Sequence, residues 1–498
     1  MRADDGTFLR DDAGGYLAWD PVKRGTVRYD SGTRLFDGDW QSLALRGEVE
    51  IDGTACAPAF ELFARACADW TPEAVEHESW VPATELRAAA ATLAGNPRLA
   101  YYAWSGVGQH DNASQTDRAI ALLEALTGSY DAPGGNVVFA KPPVNAVNLA
   151  GQADTAKALG IEARPLGPPA GGWVTAADMY DAVLGDGPYK VEALVGFGGN
   201  MAVTQADPDR AAEALAALPF HVHCEMVETA TARYADILLP IASTFEREAL
   251  RIGFEAHQAA EEWVQLRPAA VLPRGEARSD MQVVFDLAVR LGMGNRFFDG
   301  DTERGFAHIL EPLGLRPDDL RARPEGLRIP LRTEHRKFAA EADGKARGFD
   351  TDTGLVEIYP ELLLRHGQAP LPGVEGAAAS VDLPLILTTT KVPQYCHSEF
   401  RDIARLRDAV PDPLMEISPD LASDRGLAGG DWAQLVSAAG VGRFRVKLNA
   451  SLDARVVVAQ FGWDGDGANV NALIDPERRD PISGSAAHRS TRCDVRAI

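Results

Sequence analysis

Long hydrophobic runs are missing from this chain of 498 residues. No apolar run approaches the roughly 20 residues that a membrane-spanning helix requires. Near the N-terminus, Arg2, Asp4 and Asp5 are followed by further polar residues, which does not match a signal peptide. We therefore expect no membrane insertion and a cytoplasmic location. At about 150 residues per domain, the length predicts three or four domain-like units.

Paired cysteines are also absent. The five cysteines are scattered, and no two of them form a CxxC pair: Cys56, Cys67, Cys224, Cys396 and Cys493. This spacing excludes a local iron–sulfur or zinc-ribbon motif, and it gives no indication of a disulfide framework. Reducing surroundings are the expectation.

Basic residues are scarce relative to acidic ones. The chain has 49 Lys and Arg against 72 Asp and Glu, a net charge of −23 that is spread along its length. Such a surface repels nucleic acid and anionic membranes, so neither is expected as a partner. The GxSxG elbow, the Walker A lysine loop and the HExxH helix do not occur, which argues against the hydrolases and nucleoside triphosphatases that they mark.

What the sequence does contain is organised around residues 101–136. The aromatic run YYAW predicts a strand, Gly106 and Gly108 predict a turn, and apolar residues at helical spacing predict a helix around 120–126. A strand that turns through glycines into a helix N-terminus suits an anionic or polar ligand, although it is also an ordinary structural corner. His110 in this turn is either a general acid or base, or a structural residue.

The flanking segments are less regular. Residues 1–95 begin with polar turns rather than a hydrophobic strand, which is typical of the inside of a longer domain. Helices are predicted at Ala57–Ala68 and at Pro82–Leu93, the second with Thr84 as its N-cap. Residues 142–172 are rich in Pro, Gly and Asn and are predicted to form a long loop that covers a site.

Between residues 175 and 241 helices and strands alternate. The alternation predicts a parallel sheet, whose ligands bind at the carboxyl ends of its strands. The predicted elements are helices at Thr175–Leu184 and Asp207–Leu218 and strands at Val191–Gly196, Phe220–Cys224 and Ile237–Ile241.

Two of these strand ends carry polar groups. The turn GFGGN at 196–200 has the position of a phosphate-binding turn, but it lacks the GxGxxG spacing. The run from Glu225 to Thr231 offers carboxylates and hydroxyls that either accept hydrogen bonds from a nucleoside or form a solvated loop. His221 and His223 alternate on a strand like two metal ligands; with no third ligand near them, we interpret them as satisfied polar groups.

The C-terminal half of the chain differs in pattern from the alternating helices and strands before it. Residues 246–382 are mixed, with a helix at Met281–Leu291 and a short strand at Val356–Tyr359, and are predicted to connect two domains. Short strands separated by glycine turns then predict a small β-barrel. These strands are Leu385–Thr389, Trp432–Val436, Phe444–Leu448 and Val456–Gln460.

Polar residues crowd the end of the first barrel strand. The run of threonines at 388–390 with Lys391, Gln394, His397 and Ser398 suits a phosphorylated cofactor. A threonine run without the other residues would mean only β-propensity. The loops GANVN at 467–471 and DPISGS at 480–485 are similarly dense in hydrogen-bonding groups.

Together these segments resemble the molybdopterin oxidoreductases of the dimethyl sulfoxide reductase and formate dehydrogenase type. Four stretches, in family order, carry the resemblance: WSGVGQHDNASQTDRAIALLEALTGSYDAPGGN, LVGFGGNMAVTQADPDRAAEALAALPFHVHCEMVETATARYADILLP, PRGEARSDMQVVFDLAVRLG, and the tail from LILTTTK to DPISGSAAHR. The resemblance implies an α/β fold with Rossmann-like parallel-sheet domains followed by a C-terminal β-barrel of the molybdopterin dinucleotide-binding type.

The resemblance also implies domain boundaries. Residues 1–95 would be the remnant of a first Rossmann-like domain, and residues 96–245 a second Rossmann-like domain that binds molybdopterin. Residues 246–382 would be the connector and residues 383–498 the barrel.

Members of this family bind two molybdopterin guanine dinucleotides with molybdenum or tungsten between them, and this is the cofactor that the resemblance implies. Gly106, Gly108, Gln109 and His110 would face its metal end and the substrate, with His110 and Gln109 as the catalytic candidates. One dinucleotide would be held by Gly198, Asn200, Glu225, Thr229 and Gln265. The pterins would be gripped from the barrel by Thr389, Lys391, Gln394, His397, Ser398, Asn469 and Asn471. Glu225 stands where many members have the shorter Asp.

One departure from the family pattern is large. The four-cysteine iron–sulfur motif and the residue that ligates the metal lie in an N-terminal region that this sequence does not include, as would any export signal. No metal ligand is therefore predicted, and the chain would be the C-terminal two thirds of an enzyme through a truncated gene model, a split gene or a stand-alone product. The implied function is oxygen-atom or hydride transfer on a small-molecule substrate, with an electron-transfer iron–sulfur subunit as a partner. The alternatives are a non-redox hydratase on the same scaffold and a non-catalytic cofactor-binding subunit.

Overall fold

The computed structural model describes residues 2–3, 5–96, 98–148, 155–254, 256–339, 341–342, 345–374, 381–465 and 467–498. Residues 149–154 of the predicted loop at 142–172 lie outside this range. Within the described part of the chain, no helix combines the length and the apolar character needed to cross a membrane.

The strands are short and are distributed along the whole chain. They are β1 (Arg2–Ala3), β2 (Tyr16–Asp20), β3 (Gly25–Asp30), β4 (Leu35–Phe36), β5 (Val49–Ile51), β6 (Thr54–Ala57), β7 (Ala193–Phe197), β8 (Phe220–Glu225), β9 (Ile237–Pro240), β10 (Ala249–Ile252), β11 (Trp263–Arg267), β12 (Leu327–Arg328), β13 (Glu341–Ala342), β14 (Lys345–Ala346), β15 (Leu385–Thr390), β16 (Leu414–Ile417), β17 (Trp432–Ser437), β18 (Val441–Leu448), β19 (Val456–Gln460) and β20 (Thr491–Ala497).

The α-helices lie mainly between residues 59 and 321. They are α1 (Ala59–Ala68), α2 (Pro72–Ser79), α3 (Ala83–Gly95), α4 (Ala113–Leu126), α5 (Ala176–Leu184), α6 (Met201–Thr204), α7 (Pro208–Ala217), α8 (Gln258–Glu261), α9 (Asp280–Arg290), α10 (Thr302–Leu310), α11 (Pro317–Arg321), α12 (Glu361–Arg365), α13 (Ala404–Ala409) and α14 (Pro419–Asp424).

The chain forms two compact units, and each draws on separate parts of the sequence. Unit 1 comprises the described residues of Met1–Val107, Ser114–Val138 and Thr333–Val374. Unit 2 comprises those of Gly108–Ala113, Phe139–Arg332 and Glu375–Ile498. The domain boundaries predicted above remain predictions.

Unit 1 contains small antiparallel sheets and the helices α1 to α4. Its sheets have the strand orders β1-β6-β5, β2-β3-β4 and β13-β14. The hairpin of β2 and β3, with Tyr16 opposite Tyr29, was not predicted. Its strands have only five and six residues, so no long apolar alternation marks them in the sequence.

Unit 2 contains the predicted parallel sheet, in the order β7-β8-β9. On one face of this sheet, Leu194 packs with the helices α5 and α7 around Tyr180 and Leu215. Each helix begins where a side chain can cap it, since Thr175 accepts a hydrogen bond from the Asp178 backbone N–H and Asp207 does so from that of Arg210. The sequence signal was strong here because helix caps and apolar spacing agree.

The β-barrel at the C-terminus of unit 2 is closed, with the strand order β15-β19-β16-β18-β17-β20. Alternating residues of each strand point inward, and they form a core with Leu387, Met415, Phe444 and Val457 fully buried. The predicted α/β fold with a parallel sheet and a C-terminal barrel is therefore confirmed. The strands β16 and β20 were not predicted.

Three local predictions are wrong. Tyr101–Trp104 is not a strand; the side-chain amide of Asn136 bonds the Tyr101 backbone N–H and C=O in place of a neighbouring strand. Val356–Tyr359 is irregular although its residues have high β-propensity, because no partner strand lies beside it within the described residues. Thr84 lies inside α3, whose N-cap is Pro82.

Candidate functional site

Arg489 joins two of the predicted site segments within unit 2. Its guanidinium Nε donates a hydrogen bond of 2.6 Å to the side-chain oxygen of Gln109, and its Nη1 donates one of 3.3 Å to the backbone oxygen of Thr389. A residue of the C-terminal tail thus holds the turn at 108–110 beside the first strand of the barrel. Gln109 and Thr389, predicted separately, are brought together by a residue that was not predicted.

His110 lies in the same contact region. Its Nδ1 is 3.3 Å from the Ser490 hydroxyl oxygen, which is within hydrogen-bonding distance. Burial and the Arg489 guanidinium lower the pKa of His110, against the opposing charge of Asp111. Asp111 itself forms an ion pair with Arg478. The neutral imidazole is therefore the favoured form near pH 7.

The DPISGS loop approaches these residues because Asp480 organises it. The Asp480 carboxylate is buried and accepts hydrogen bonds from the backbone N–H groups of Ile482 (3.0 Å) and Ser483 (2.6 Å). Its own backbone N–H donates to Ser485 and its carbonyl accepts from Gly484. The loop is thus a compact turn that is fixed by its own backbone.

A cavity of about 290 Å³ lies between this loop and the N-terminus of α5. Tyr180, which is only 2% exposed, lines it, and the Tyr180 hydroxyl has no hydrogen-bond partner among the described residues. A buried hydroxyl without a partner is costly, so its place beside a cavity indicates a polar ligand. The other lining residues are Gly108, Gln109, Thr175, Ala176, Ala177, Thr204, Gln205, Ala206, Arg479, Gly484, Ser485, Ala486 and His488.

Charged and titratable groups shape this cavity. Burial, followed by the Arg479 and Arg489 guanidinium groups, lowers the pKa of His488 to about 4. His488 is therefore a neutral imidazole beside two cations. Together with the first N–H groups of α5, this arrangement favours an anion or a ligand rich in hydrogen-bond acceptors.

The glycine turn after β7 is stabilised from the neighbouring loop. Gly198 has a φ of +61°, and a Cβ at this position or at Gly199 would meet no atom within 4 Å. The Asn200 side-chain oxygen accepts hydrogen bonds from the Thr231 backbone N–H (3.2 Å) and hydroxyl (3.1 Å). The backbone at the two glycines is therefore open to a ligand, whereas the Asn200 side-chain oxygen already accepts two hydrogen bonds from Thr231.

Glu225 ends β8 as a half-buried carboxylate. Burial raises its pKa, and the nearby carboxylates of Glu399 and Asp280 raise it further, against a hydrogen bond from the Met226 backbone N–H. The next predicted residue, Thr229, accepts a 3.2 Å hydrogen bond from the Ala232 backbone N–H. Glu225 thus interacts electrostatically with Glu399, which lies between the barrel strands β15 and β16.

Lys391 and His397 form a contact at the end of the first barrel strand. Their Nζ and Nε2 atoms lie 3.0 Å apart. Burial, followed by the Lys391 ammonium, lowers the pKa of His397, so a neutral imidazole accepting from Lys391 is favoured. The turn at His397 and Ser398 passes directly over Gly462, where a Cβ would overlap the His397 carbonyl oxygen. Gln394 lies in the turn before this contact.

Arg401 is the most notable residue that the sequence did not single out. Its guanidinium carbon lies 4.2 Å from the ring centroid of Tyr395 and 4.3 Å from that of Trp463, and its Nη2 donates to the Phe461 (2.8 Å) and His397 (3.3 Å) carbonyls. Its Nε and Nη1 are buried without a hydrogen-bond partner among the described residues. Burial lowers the pKa of Arg401 to about 10. A buried guanidinium with unpartnered donors would be stabilised by a bound anion.

Asn469 and Asn471 have structural contacts. The Asn469 oxygen accepts from the Asn471 backbone N–H at 3.0 Å, and the Asn471 side-chain nitrogen donates to the Val203 carbonyl at 2.6 Å. Asn471 is only 4% exposed, so this hydrogen bond ties the barrel to α6. Asn469 also lines a second cavity of about 440 Å³ with Arg233 and Asp464.

Two further predicted residues, Gln265 and Gly106, lie in other parts of the described structure. The Gln265 side-chain nitrogen donates to the Pro324 carbonyl at 2.7 Å, inside the sheet of β10, β11 and β12. Gly106 belongs to unit 1, where a Cβ would meet nothing within 4 Å. Asn200, Glu225 and Gln394 line neither of the two cavities described above.

The interpretation of His221 and His223 as satisfied polar groups is wrong. Both are fully buried, and none of their four ring nitrogens has a hydrogen-bond partner within the described part of the chain. The two rings contact each other edge to face, with centroids 5.3 Å apart, and burial lowers both pKa values. No group of three or more His, Cys, Asp or Glu residues among the described ones could hold a metal ion.

A large anionic ligand fits these observations. Arg401 has buried donors without partners, Tyr180 has an unpartnered hydroxyl, and the backbone at Gly198 is open to a ligand; all three residues belong to unit 2. The polar residues that the sequence did not single out are Arg401, Arg478, Arg479, His488, Arg489 and Ser490. All of these except Arg401 lie in two short polar segments near the C-terminus, HRS and RRDPISGS. Their position in these segments is the sequence feature that could have indicated them.

Two family models match the chain. The model described as "Molybdopterin oxidoreductase" matches residues 89–290, which include the turn at 108–110 and the parallel sheet. The model described as "Molydopterin dinucleotide binding domain" matches residues 385–492, which include the barrel, Arg401 and Arg489.

Curated relatives extend the similarity over most of the chain. Dopamine dehydroxylase of Eggerthella lenta is 26% identical over 91% of this chain and 55% of its own length. Biotin sulfoxide reductase of Cereibacter sphaeroides is also 26% identical, over 91% of this chain and 64% of its own length. The chain therefore spans less than two thirds of either relative.

A solved structure shares the fold. Acetylene hydratase from Pelobacter acetylenicus superimposes with a TM-score of 0.76, covering 88% of this chain and 66% of that one, at 18% sequence identity. At this identity the similarity concerns the fold rather than the chemistry.

Proposed function

The chain belongs to the molybdopterin oxidoreductase family, and from this premise we propose that it forms the larger part of a molybdenum- or tungsten-dependent oxidoreductase. The complete enzyme would transfer an oxygen atom or a hydride to or from a small-molecule substrate. The observation that carries the proposal is the contact of Arg489 with both Gln109 and Thr389, beside a cavity with an unpartnered Tyr180 hydroxyl.

Two molybdopterin guanine dinucleotides are the proposed cofactor. When bound, the metal between them supplies the redox chemistry by alternating between oxidation states IV and VI. The residues that would hold them are the glycines Gly108 and Gly198, the carboxylate of Glu225, and the barrel residues Thr389, Lys391, His397 and Ser398. We add Arg401, because its Nε and Nη1 are buried without a hydrogen-bond partner among the described residues.

The residues near Arg489 would position the substrate. Gln109 is held in place by the Arg489 guanidinium, and His110 is favoured as a neutral imidazole with its Nδ1 near the Ser490 hydroxyl. Such a histidine can hold a proton at Nε2 and donate a hydrogen bond to the substrate. Arg478 holds the carboxylate of Asp111, the neighbour of His110, in an ion pair.

Cofactor content is the first test. The protein is purified from a host that makes the pterin cofactor, and its metal and pterin contents are measured by mass spectrometry. We expect stoichiometric metal in the unsubstituted protein, and a reduced content in Arg401→Met because an anion-binding group is lost. Arg405→Met, at an exposed arginine in α13, is the matched control and should leave the content unchanged. Absence of both metal and pterin would refute the proposal.

Turnover is the second test, and it requires the complete enzyme. Replacing His110 with Ala is expected to lower turnover while the metal content stays the same, because the residue acts on the substrate. Equal turnover in the variant would remove His110 from the proposed mechanism.

Two alternatives remain proposals. A non-redox hydratase has the same fold, since acetylene hydratase from Pelobacter acetylenicus is a structural neighbour. Dye-coupled electron transfer by the complete enzyme favours the oxidoreductase, and hydration without dye reduction favours the hydratase. A cofactor-binding subunit without catalysis would bind metal and show neither activity. A separate electron-transfer iron–sulfur subunit as partner is likewise proposed, and co-purification tests it.

A further inference from the structure

Unit 1 contains a cavity of its own, with a volume of about 300 Å³. It lies at the C-terminal end of α4 and is lined mainly by apolar side chains. The lining residues are Phe63, Leu122, Glu124, Ala125, Leu126, Gly128, Tyr130, Phe349, Val356 and Ile358. A volume of this size accommodates a small organic molecule.

The end of α4 creates one wall of the cavity. Gly128 has a φ of +66°, so the chain leaves the helix there and turns back, with the Ser129 backbone N–H donating to the Glu124 carbonyl. Tyr130 then follows the turn and contacts Phe349, with ring centroids 6.0 Å apart. The rings of Tyr130 and Phe349 therefore border the cavity together with the end of α4.

Glu124 is the charged residue among those that line the cavity. It is only 4% exposed, and its Oε1 has no hydrogen-bond partner among the described residues. Burial raises the pKa of Glu124, and Asp117 raises it further, against a hydrogen bond from the Tyr101 backbone N–H. One oxygen of the carboxylate is thus buried without a hydrogen-bond partner, which costs free energy.

The other buried carboxylates of unit 1 are all compensated. Glu61 pairs with Arg46 and Arg65, and Asp131 pairs with Lys337. Glu361 pairs with Arg10, and Asp20 accepts hydrogen bonds from the Ser42 hydroxyl and from backbone N–H groups. Unit 1 can therefore supply partners for buried carboxylates, and Glu124 differs from these four in having a carboxylate oxygen without a partner among the described residues.

We propose that this cavity is a binding site for an organic ammonium ion with an apolar or aromatic body. The ammonium would donate a hydrogen bond to Glu124 Oε1 and neutralise its charge, which removes the cost described above. Tyr130, Phe349 and Phe63 would contact the body of the ligand, and aromatic faces also attract cations. The site lies entirely in unit 1, and it does not depend on the proposed function.

Calorimetric titration of the full chain with 2-phenylethylamine tests the site, with 2-phenylethanol as the neutral analogue of the same shape. At a slightly alkaline pH, where Glu124 is ionised and the amine is still protonated, we expect the amine to bind about ten-fold or more tightly than the alcohol. Equal binding of the two compounds, or no binding of the amine, would overturn the proposal.

Variants separate the carboxylate from the cavity. Glu124→Gln keeps the shape and is expected to lower the affinity for the amine about ten-fold or more, because the charge is lost. Glu85→Gln, at an exposed glutamate of α3, is the matched control and should bind as the unsubstituted chain does. Ala125→Met fills the cavity and should weaken the binding of both compounds.

Two measurements on Glu124→Gln separate the loss of the charge from unfolding and from binding elsewhere on the protein. Thermal unfolding of Glu124→Gln should show no loss of stability, since a buried charge without a partner is removed. Amine binding by Glu124→Gln that equals that of the unsubstituted chain would show that the compound binds elsewhere, and the proposal would be wrong.

Discussion

His488 illustrates how burial sets the charge of a single residue beside the candidate site. Its pKa falls to about 4 in the folded protein, because it is buried and because Arg479 and Arg489 are close. In the unfolded chain the same imidazole takes up its proton near the ordinary pKa of 6.5. Between these values the unfolded state binds more protons than the folded state.

This difference predicts a pH dependence of stability. The free energy of unfolding should fall as the pH falls from about 6.5 toward 4, and it should level off below that range. In His488→Asn the slope of the unfolding free energy against pH should be smaller. Part of the slope should remain, because burial also lowers the pKa values of His110, His221 and His223. Urea unfolding at a series of pH values measures the slope.

The exposed His77 of α2 provides the control for this prediction. His77→Asn should leave the slope between pH 6.5 and 4 unchanged, since it removes an imidazole from the surface rather than from the buried position of His488. An identical slope in His488→Asn and in the unsubstituted chain would contradict the role given to His488.

At the scale of elements, the turn at 397–398 and the segment that begins at Gly462 are tightly packed. A Cβ at Gly462 would overlap the His397 carbonyl oxygen, and Gly462 has a φ of +88°. Gly465 has a similar φ of +75°, but a Cβ there would meet nothing within 4 Å. The two glycines thus differ in packing and not in backbone conformation.

We predict unequal costs for the two alanine substitutions. Gly465→Ala should lower the free energy of unfolding by about 1 kcal/mol, from backbone strain. Gly462→Ala should cost at least about 3 kcal/mol, because the turn that contains His397 must also move. Chemical unfolding of the two variants measures both values, and equal costs would show that the turn is less constrained than its packing indicates.

The elements that could be predicted from sequence are those whose signals are local. The strand Val456–Gln460 and the helices α5, α7 and α9 have apolar spacing and caps that agree, so their bounds were found to within a few residues. The aromatic run at 101–104 has the same local signal for a strand, but no partner strand stands beside it in the described structure. Strand formation depends on a neighbour that local sequence does not reveal.

The candidate site was predictable only in part, for the same reason. Gln109, His110 and Thr389 lie in recognisable segments, whereas Arg489 acts on Gln109 across 380 residues of sequence. Arg401 could not be singled out, since its unpartnered N–H groups follow from packing between Tyr395 and Trp463. Burial without a partner is a property of the folded chain.

For the molecule as a whole, one face of the parallel sheet of unit 2 is exposed over part of its area, although Cys224 on that face is buried. Val195 (44% exposed), Phe197, Phe220 and Ile237 are exposed on the face opposite the helices α5 and α7. Parallel sheets are normally covered on both faces, and an apolar face of this kind favours association.

We therefore predict that the purified chain associates with increasing concentration despite its net charge of −23. Val195→Glu should shift the equilibrium toward the monomer without lowering the melting temperature, since an exposed position gains a charge. Sedimentation velocity measures the association. Val22→Glu, at an exposed residue of unit 1, adds the same charge elsewhere and should have no such effect. A chain that stays monomeric at all concentrations would contradict the prediction.

The strand order of the barrel has a consequence for how the protein is made. β15, the first barrel strand to be synthesised, pairs with β20, the last, and β20 also pairs with β17. While the ribosome is still translating the intervening residues, both of these edges are open to other chains. Chaperones that shield strand edges during translation would therefore raise the yield of this protein, and a cofactor that the barrel helps to enclose would be inserted after translation.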